Sequence, residues 1–274
     1  MGLSELSTNL ASATLCAFLL LRNELKVNMR SVIVMSTLVL GVCQSAHAAN
    51  WSLGAGALVS PDPYVGYKNK VYPVPMIGYE GKSFYFRGFN GGYYLWNDES
   101  DKVALTAFYS PIHFRAKDSS NHQMKRLDNR YATVMGGISW THVTAQFGSL
   151  RTVLAGDMLG NSNGITWDNT WIYHYQYARW RLSPGVGIQW NSANHNDYYY
   201  GVSRSESSRS GMHTWDAGSS WNPYVELSVN YAITPSWSIF GMGRYVRLGK
   251  AIKDSPMVDN SWTGVLLTGV NYRF

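Results

Sequence analysis

After residue 43 the sequence has no cysteine; the chain's only two are Cys16 and Cys43. A body without thiols has no disulfide staple, no cysteine nucleophile and no thiolate metal site, so its own hydrogen bonds and packing must hold it. Charge is scarce as well. Asp, Glu, Lys and Arg make up 15% of the 274 residues, the formal net charge is only +6, and no Lys/Arg block concentrates it. Nucleic acid is therefore not an expected partner. Beyond residue 50 no helical apolar stripe of useful length occurs. Nor is there an H-E-x-x-H, a carboxylate loop with metal-binding spacing, or a serine in a nucleophile elbow. His122 and His195 stand near Asp118, Asp128 and Asp197 in sequence, yet loops are rich in such residues and spacing alone fixes no dyad. "GNSNG" (160–164) and "KDSPMVDNS" (253–261) read as turns rather than calcium loops. The expectation is a protein that is not an enzyme and takes no cofactor or metal.

What the sequence does have is aromatic residues and glycine: 19 Tyr, 11 Trp and 26 Gly. With so few charges, that composition suits strands and tight turns better than helices. The first fifty residues read differently. Met29-Arg30, the short apolar run "SVIVMSTLVLGV" and Ala46-His47-Ala48 have the order of a secretory signal peptide, too short to be a membrane helix. Residues 29–48 are expected to be that signal, cleaved between Ala48 and Ala49. Residues 1–28 read as an upstream extension from a start assigned too early, and 49–274 as the exported body.

That body alternates with period two. In "ITWDNTWIYHYQY" (165–177) Ile165, Trp167, Trp171, Tyr173, Tyr175 and Tyr177 share one face, and Trp180, Leu182, Val186, Ile188 and Trp190 share another after Ala178-Arg179. These are two antiparallel strands joined by a tight turn, with Pro184 marking a bulge or a broken ladder. Similar runs recur at 51–58, 71–80, 83–96, 102–113, 131–142, 147–157, 221–232, 236–248 and 262–274. Tryptophans near strand ends, polar residues on the opposite faces and a terminal "LLTGVNYRF" favour a membrane barrel over a soluble sandwich. The fold class expected is all-β, a transmembrane antiparallel barrel. Its strands number twelve if 83–96 breaks at "GFNGG", and ten if one early segment does not span. Counting back from a periplasmic C-terminus makes 115–130, 157–163, 192–220 and 249–261 outer loops. Arg181 and Arg244 can face the lumen, where carboxylates such as Asp168 or Glu226 would pair with them.

The segments "VYPVPMIGYEG", "FRGFNGGYYLWND", "HQMKRLDNR", "LRTVLAGD", "GVGIQWNS", "YYYGVSRSES" and "DSPMVDNSWTG" together resemble the MipA/OmpV outer-membrane family across 51–274. The chain departs from that pattern at Gly160, where related chains carry an aspartate. The resemblance implies a scaffold of the Gram-negative outer membrane. Its implied partners are a murein lytic transglycosylase and a bifunctional penicillin-binding murein synthase, together with the barrel assembly machinery and outer-membrane lipid. Tyr272 and Phe274 would form the assembly signal. The alternative is a narrow pore or solute-binding barrel affecting permeability. The run Tyr198, Tyr199 and Tyr200, with Arg204 and Glu206 after it, supplies the candidate rim contacts, the tyrosines being expected as an extended continuation of strand pairing.

Overall fold

A computed structural model describes residues 50–274; the expected upstream extension, the expected signal segment and the expected cleavage between Ala48 and Ala49 lie outside the described residues. The strand segments are β1 (Asn50–Ser60), β2 (Lys70–Glu80), β3 (Phe84–Arg87), β4 (Asn90–Asn97), β5 (Asp101–Ser110), β6 (Thr133–Thr144) and β7 (Gly148–Asp157). They continue as β8 (Ile165–Ile172), β9 (Tyr175–Tyr177), β10 (Trp180–Asn191), β11 (Ser220–Ala232), β12 (Trp237–Arg247) and β13 (Trp262–Arg273). Sequential neighbours pair antiparallel and β13 returns to β1, which closes the sheet. Both β8 and β9 pair with β10 in one continuous register, so they are two pieces of a single interrupted strand and the barrel has twelve strands. The expected break in 83–96 is the two-residue turn between β3 and β4, where Gly88 takes φ 62° at no steric cost. Pro184 produces no bulge: it stays paired with Leu227, and the ladder is broken on the other side, at Tyr173 and His174.

Alternation sets the two faces of the wall. On β5, Leu105 is 52% exposed on the outside while Ala104 is 2% exposed on the inside. The same outward apolar row continues through Ile138, Leu154, Val225, Leu227 and Leu266. Closure through β13 and β1 gives every strand of the wall a hydrogen-bonded neighbour on both sides, the arrangement by which strands cross hydrocarbon. Trp167, Trp221, Trp237 and Trp262 stand exposed near strand ends, where amphipathic rings suit a bilayer interface.

The two ends of the barrel differ. One carries short turns at 81–83, 98–100, 145–147, 178–179 and 233–236. The other carries the connections 61–69, 111–132, 158–164, 192–219 and 248–261, within which lie helices α1 (Ala193–Tyr200), α2 (Arg204–Ser210) and α3 (Lys250–Lys253). Four of these long connections share one apolar core built on Tyr64, Phe114, Met124, Tyr199, Ile252 and Met257. They form a folded cap over that end rather than separate loops.

Candidate functional site

The candidate tyrosines belong to this cap, in a conformation that corrects the sequence expectation. Tyr198–Tyr200 are not extended; they form the last turn of α1. Ser192 caps the helix by accepting from the His195 N–H. The spacing of His195 and Asn196 to Tyr199 and Tyr200 then turns one face inward, and Tyr199 is fully buried. Tyr200 lies 5.6 Å from the ring of Tyr64, and Tyr199 donates from its hydroxyl to the Tyr131 carbonyl at 3.1 Å. Tyr198 is half-buried and its hydroxyl accepts from the Tyr131 N–H at 2.9 Å. Burial pushes the Tyr199 and Tyr200 hydroxyls above the ordinary phenol range, so both rings are neutral packing elements.

Glu206 is also buried, whereas Arg204 is exposed at the start of α2. Ser203 and Glu206 form a reciprocal capping box, and Gly211 closes the helix with φ 76°. The Glu206 carboxylate accepts further from the Asp128 N–H at 2.9 Å and from the Arg130 guanidinium at 2.8 Å. Burial pushes this carboxyl up, but the backbone donors and Arg130 outweigh it and hold it below the usual carboxylate range. Arg130 was not legible as a partner because it is remote from Glu206 in sequence. Its Nη1 also donates to the Asp128 carbonyl within the same loop, while the bonds of Arg130 and of the Asp128 N–H to Glu206 tie the 111–132 loop to α2.

His195 forms no dyad with Asp197. Both its ring nitrogens are buried without a partner among the described residues, and the Asp197 carboxylate instead accepts from the Ala217 N–H. Burial lowers the imidazole to about 4, against the weaker pull of Asp157 in the other direction. Among the described residues no group of three His, Cys, Asp or Glu side chains converges to hold a metal.

Within the barrel, Arg244 on β12 donates to Glu226 Oε2 at 2.6 Å and to Asp168 Oδ2 at 3.2 Å. Its guanidinium lies 4.1 Å from the centre of the Tyr224 ring, whose hydroxyl donates to Asp168 at 2.7 Å. Arg151 on β7 reaches Thr170 at 3.2 Å and Glu226 at 3.8 Å. The network spans β7 to β12 because β10 presents glycine beneath it: a Cβ on Gly187 would stand 2.3 Å from the Tyr224 ring, and one on Gly185 would stand 2.9 Å from Glu226. The expected pairing of Arg244 with both carboxylates is present, while Arg181 has no carboxylate partner among the described residues.

A second polar group sits at the short-turn mouth. Arg87 donates to Glu80 Oε2 through two nitrogens at 2.9 and 2.7 Å, and Tyr94 donates to the other carboxylate oxygen at 2.6 Å. Glu80 and Arg87 line, with Ser52, Asn271 and Arg273, a pocket of about 370 Å³. Beside it the chain ends: Phe274 donates its N–H to the Trp51 carbonyl, and its ring meets Tyr272 edge-on at 5.0 Å.

The family described as MltA-interacting protein MipA matches residues 53–274. The MltA-interacting protein of Escherichia coli K12 is 55% identical over 230 residues, covering 84% of this chain and 92% of its own. Outer membrane protein OmpV of Vibrio cholerae is 25% identical over 228 residues, covering 83% and 88%. A solved structure of the NanC porin is similar over 83% of this chain and 100% of its own, at 13% identity and a TM-score of 0.41. With its closed twelve-stranded wall and outward apolar face, the chain is an outer-membrane β-barrel that belongs to the MltA-interacting protein (MipA) family.

Proposed function

We propose that this protein is an outer-membrane scaffold that brings a murein lytic transglycosylase together with a bifunctional penicillin-binding murein synthase during cell-wall assembly. The observation that carries the reading is the 55% identity, over 92% of its length, to a relative named for its interaction with MltA. The internal chemistry agrees with a scaffold. One group of lumen side chains, Arg244, Glu226 and Asp168, is spent on internal pairing, and the long loops are consolidated into a cap. Partners in the periplasm would meet the short-turn end. There Phe147 and Tyr177 are among the most exposed aromatics of the chain, beside polar turns such as Asp98–Ser100. Tyr272 and Phe274 are inferred to be the signal read by the barrel assembly machinery. The test is a pull-down from detergent extract, with the purified barrel as bait. Retention of a lytic transglycosylase at low salt is expected, and its reproducible absence overturns the reading.

A second reading, a narrow pore or solute-binding barrel, draws on the pocket at the short-turn mouth. Arg273 has no carboxylate partner there among the described residues, and Arg87 is more than half exposed. That combination suits a small anion. Planar-bilayer recordings with no conductance, together with no anion binding by calorimetry, would remove it.

A further inference from the structure

Polar side chains on the outward face of the wall must find their partners within the protein, because hydrocarbon offers none. Thr268 does so by turning its hydroxyl onto the Phe240 carbonyl at 3.1 Å. Asn169 on β8 does so only in part. Its neighbours Asp168 and Thr170 point into the lumen, towards Arg244 and Tyr224, so alternation sets Asn169 outward with Trp167 and Trp171. There its Oδ1 accepts from the Thr152 hydroxyl on β7 at 2.8 Å, and Thr152 Oγ1 accepts in turn from Trp167 Nε1 at 2.9 Å. The chain of bonds stops at the Asn169 amide nitrogen, whose two N–H groups have no acceptor among the described residues.

The stop occurs at membrane depth. Thr152 lies midway along β7, between the exposed Leu150 and Leu154. Asn169 is in register with Ile188, within the outward apolar run of β10 that Trp180 and Trp190 bracket. An acyl chain has nothing to accept from an amide N–H, so lipid alone is a costly neighbour for this position.

The surface on either side is uneven in a way that fits a second copy. On Asn169's own strand Trp167 and Trp171 form a ridge, 41% and 45% exposed. In the other direction, past Leu154, the wall falls into an apolar groove of about 800 Å³ over Gly136 and Ala107. A two-fold axis along the membrane normal, passing beside the polar pair, lays the ridge of each copy against the groove of the other. The same axis brings the two Asn169 side chains face to face. Each amide oxygen keeps a second lone pair beyond the one used by Thr152, and that is what the other copy's N–H requires.

We propose that this face, centred on Asn169 and Thr152, is the interface through which two copies of the chain pair in the membrane, joined by reciprocal hydrogen bonds between their Asn169 amides. Hydrogen-bond complementarity selects the occupant: the unmet group is an amide, and an identical amide meets it. The pairing does not depend on the scaffold reading.

Cross-linking in liposomes tests it. The full chain carrying Cys16→Ser and Cys43→Ser has no thiol of its own. Leu154→Cys puts one beside the axis, and Leu266→Cys puts one at an exposed position on the far side of the barrel. Each purified barrel is diluted into phosphatidylcholine liposomes and treated with a short, membrane-soluble bis-maleimide. A product of twice the chain's mass is expected several-fold more with Leu154→Cys than with Leu266→Cys. Adding Asn169→Leu should bring that yield down to the Leu266→Cys level, while Asn169→Gln, which keeps the amide, should retain most of it. Equal yields at the two positions, or a yield that Asn169→Leu leaves unchanged, overturns the proposal. Heat-modifiable gel mobility checks that every variant is folded, and Ile188→Cys takes the place of Leu154→Cys should the latter fail that check.

Discussion

Arg130 and Glu206 form an ion pair at 2.8 Å with both side chains almost wholly enclosed, and this pair ties the 111–132 loop to the 192–219 loop. The carboxylate has a second set of donors from Ser203 and Asp128, so neither oxygen is left bare. Removing one member of such a buried pair leaves the other charged and uncompensated, at a cost of about 3–5 kcal/mol. Glu206→Ala is therefore expected to release the cap while the strands stay closed. Limited proteolysis should cut within 192–219 at least tenfold faster than in the parent, with heat-modifiable mobility retained. Unchanged cleavage would mean that the shared apolar core alone holds the loops.

His195 makes the cap sensitive to acid. Its folded value of about 4 is below the ordinary 6.5, so the unfolded loop takes up a proton before the folded one does. The neutral ring's contribution is thus fully present above about pH 6.5 and is lost as the pH falls towards 4. The shift is on the order of 3 kcal/mol at the acid limit. Hydrogen exchange of α1 amides, corrected for intrinsic rates, should accelerate between pH 6.5 and 4. His195→Phe should abolish that slope, since the ring packs against Tyr199 and makes no hydrogen bond among the described residues. A slope that persists in His195→Phe would assign the acid response to another group.

The wall was legible in the sequence because lipid on one side and the lumen on the other impose a strict period of two. Leu105 against Ala104 is the pattern in miniature. The cap was less legible, because its helices are short and poor in strong helix formers. In α1, Asn, Asp and Tyr have little intrinsic preference for helix, and burial of Tyr199 and Tyr200 decides the conformation. For α2 a local signal existed: Ser203 with Glu206 three residues on, and Gly211 past the end. No local pattern could join Arg130 to Glu206, or Arg244 to Asp168, since closure of the barrel and packing of distant loops bring them together.

Orientation can be read from labelling. Ser208 is exposed in the cap, and Pro235 is exposed in a short turn at the opposite end. Long loops facing outward would make Ser208→Cys react with a membrane-impermeant maleimide on intact cells and keep Pro235→Cys silent until the outer membrane is permeabilised. The opposite result would invert the barrel and place the cap, rather than the short turns, before the murein enzymes.

Two glycines in the wall should respond oppositely to the same substitution. A Cβ at Gly187 would lie 2.3 Å from the Tyr224 ring and 2.6 Å from the Asn169 carbonyl, whereas one at Gly241 meets nothing within 4 Å. Tyr224 cannot retreat without leaving Arg244, Thr170 and Asp168, so Gly187→Val forces apart a packed polar network and the backbone behind it. Overpacking of this kind costs about 1–3 kcal/mol or more. Gly241→Val adds a β-branched side chain to an outward, open position that suits one. Urea titration in detergent micelles should lower the unfolding midpoint of Gly187→Val clearly and leave that of Gly241→Val at or above the parent. Equal midpoints for the two would show that the inward face of β10 has slack, and that the Tyr224 network is not what requires glycine at that position.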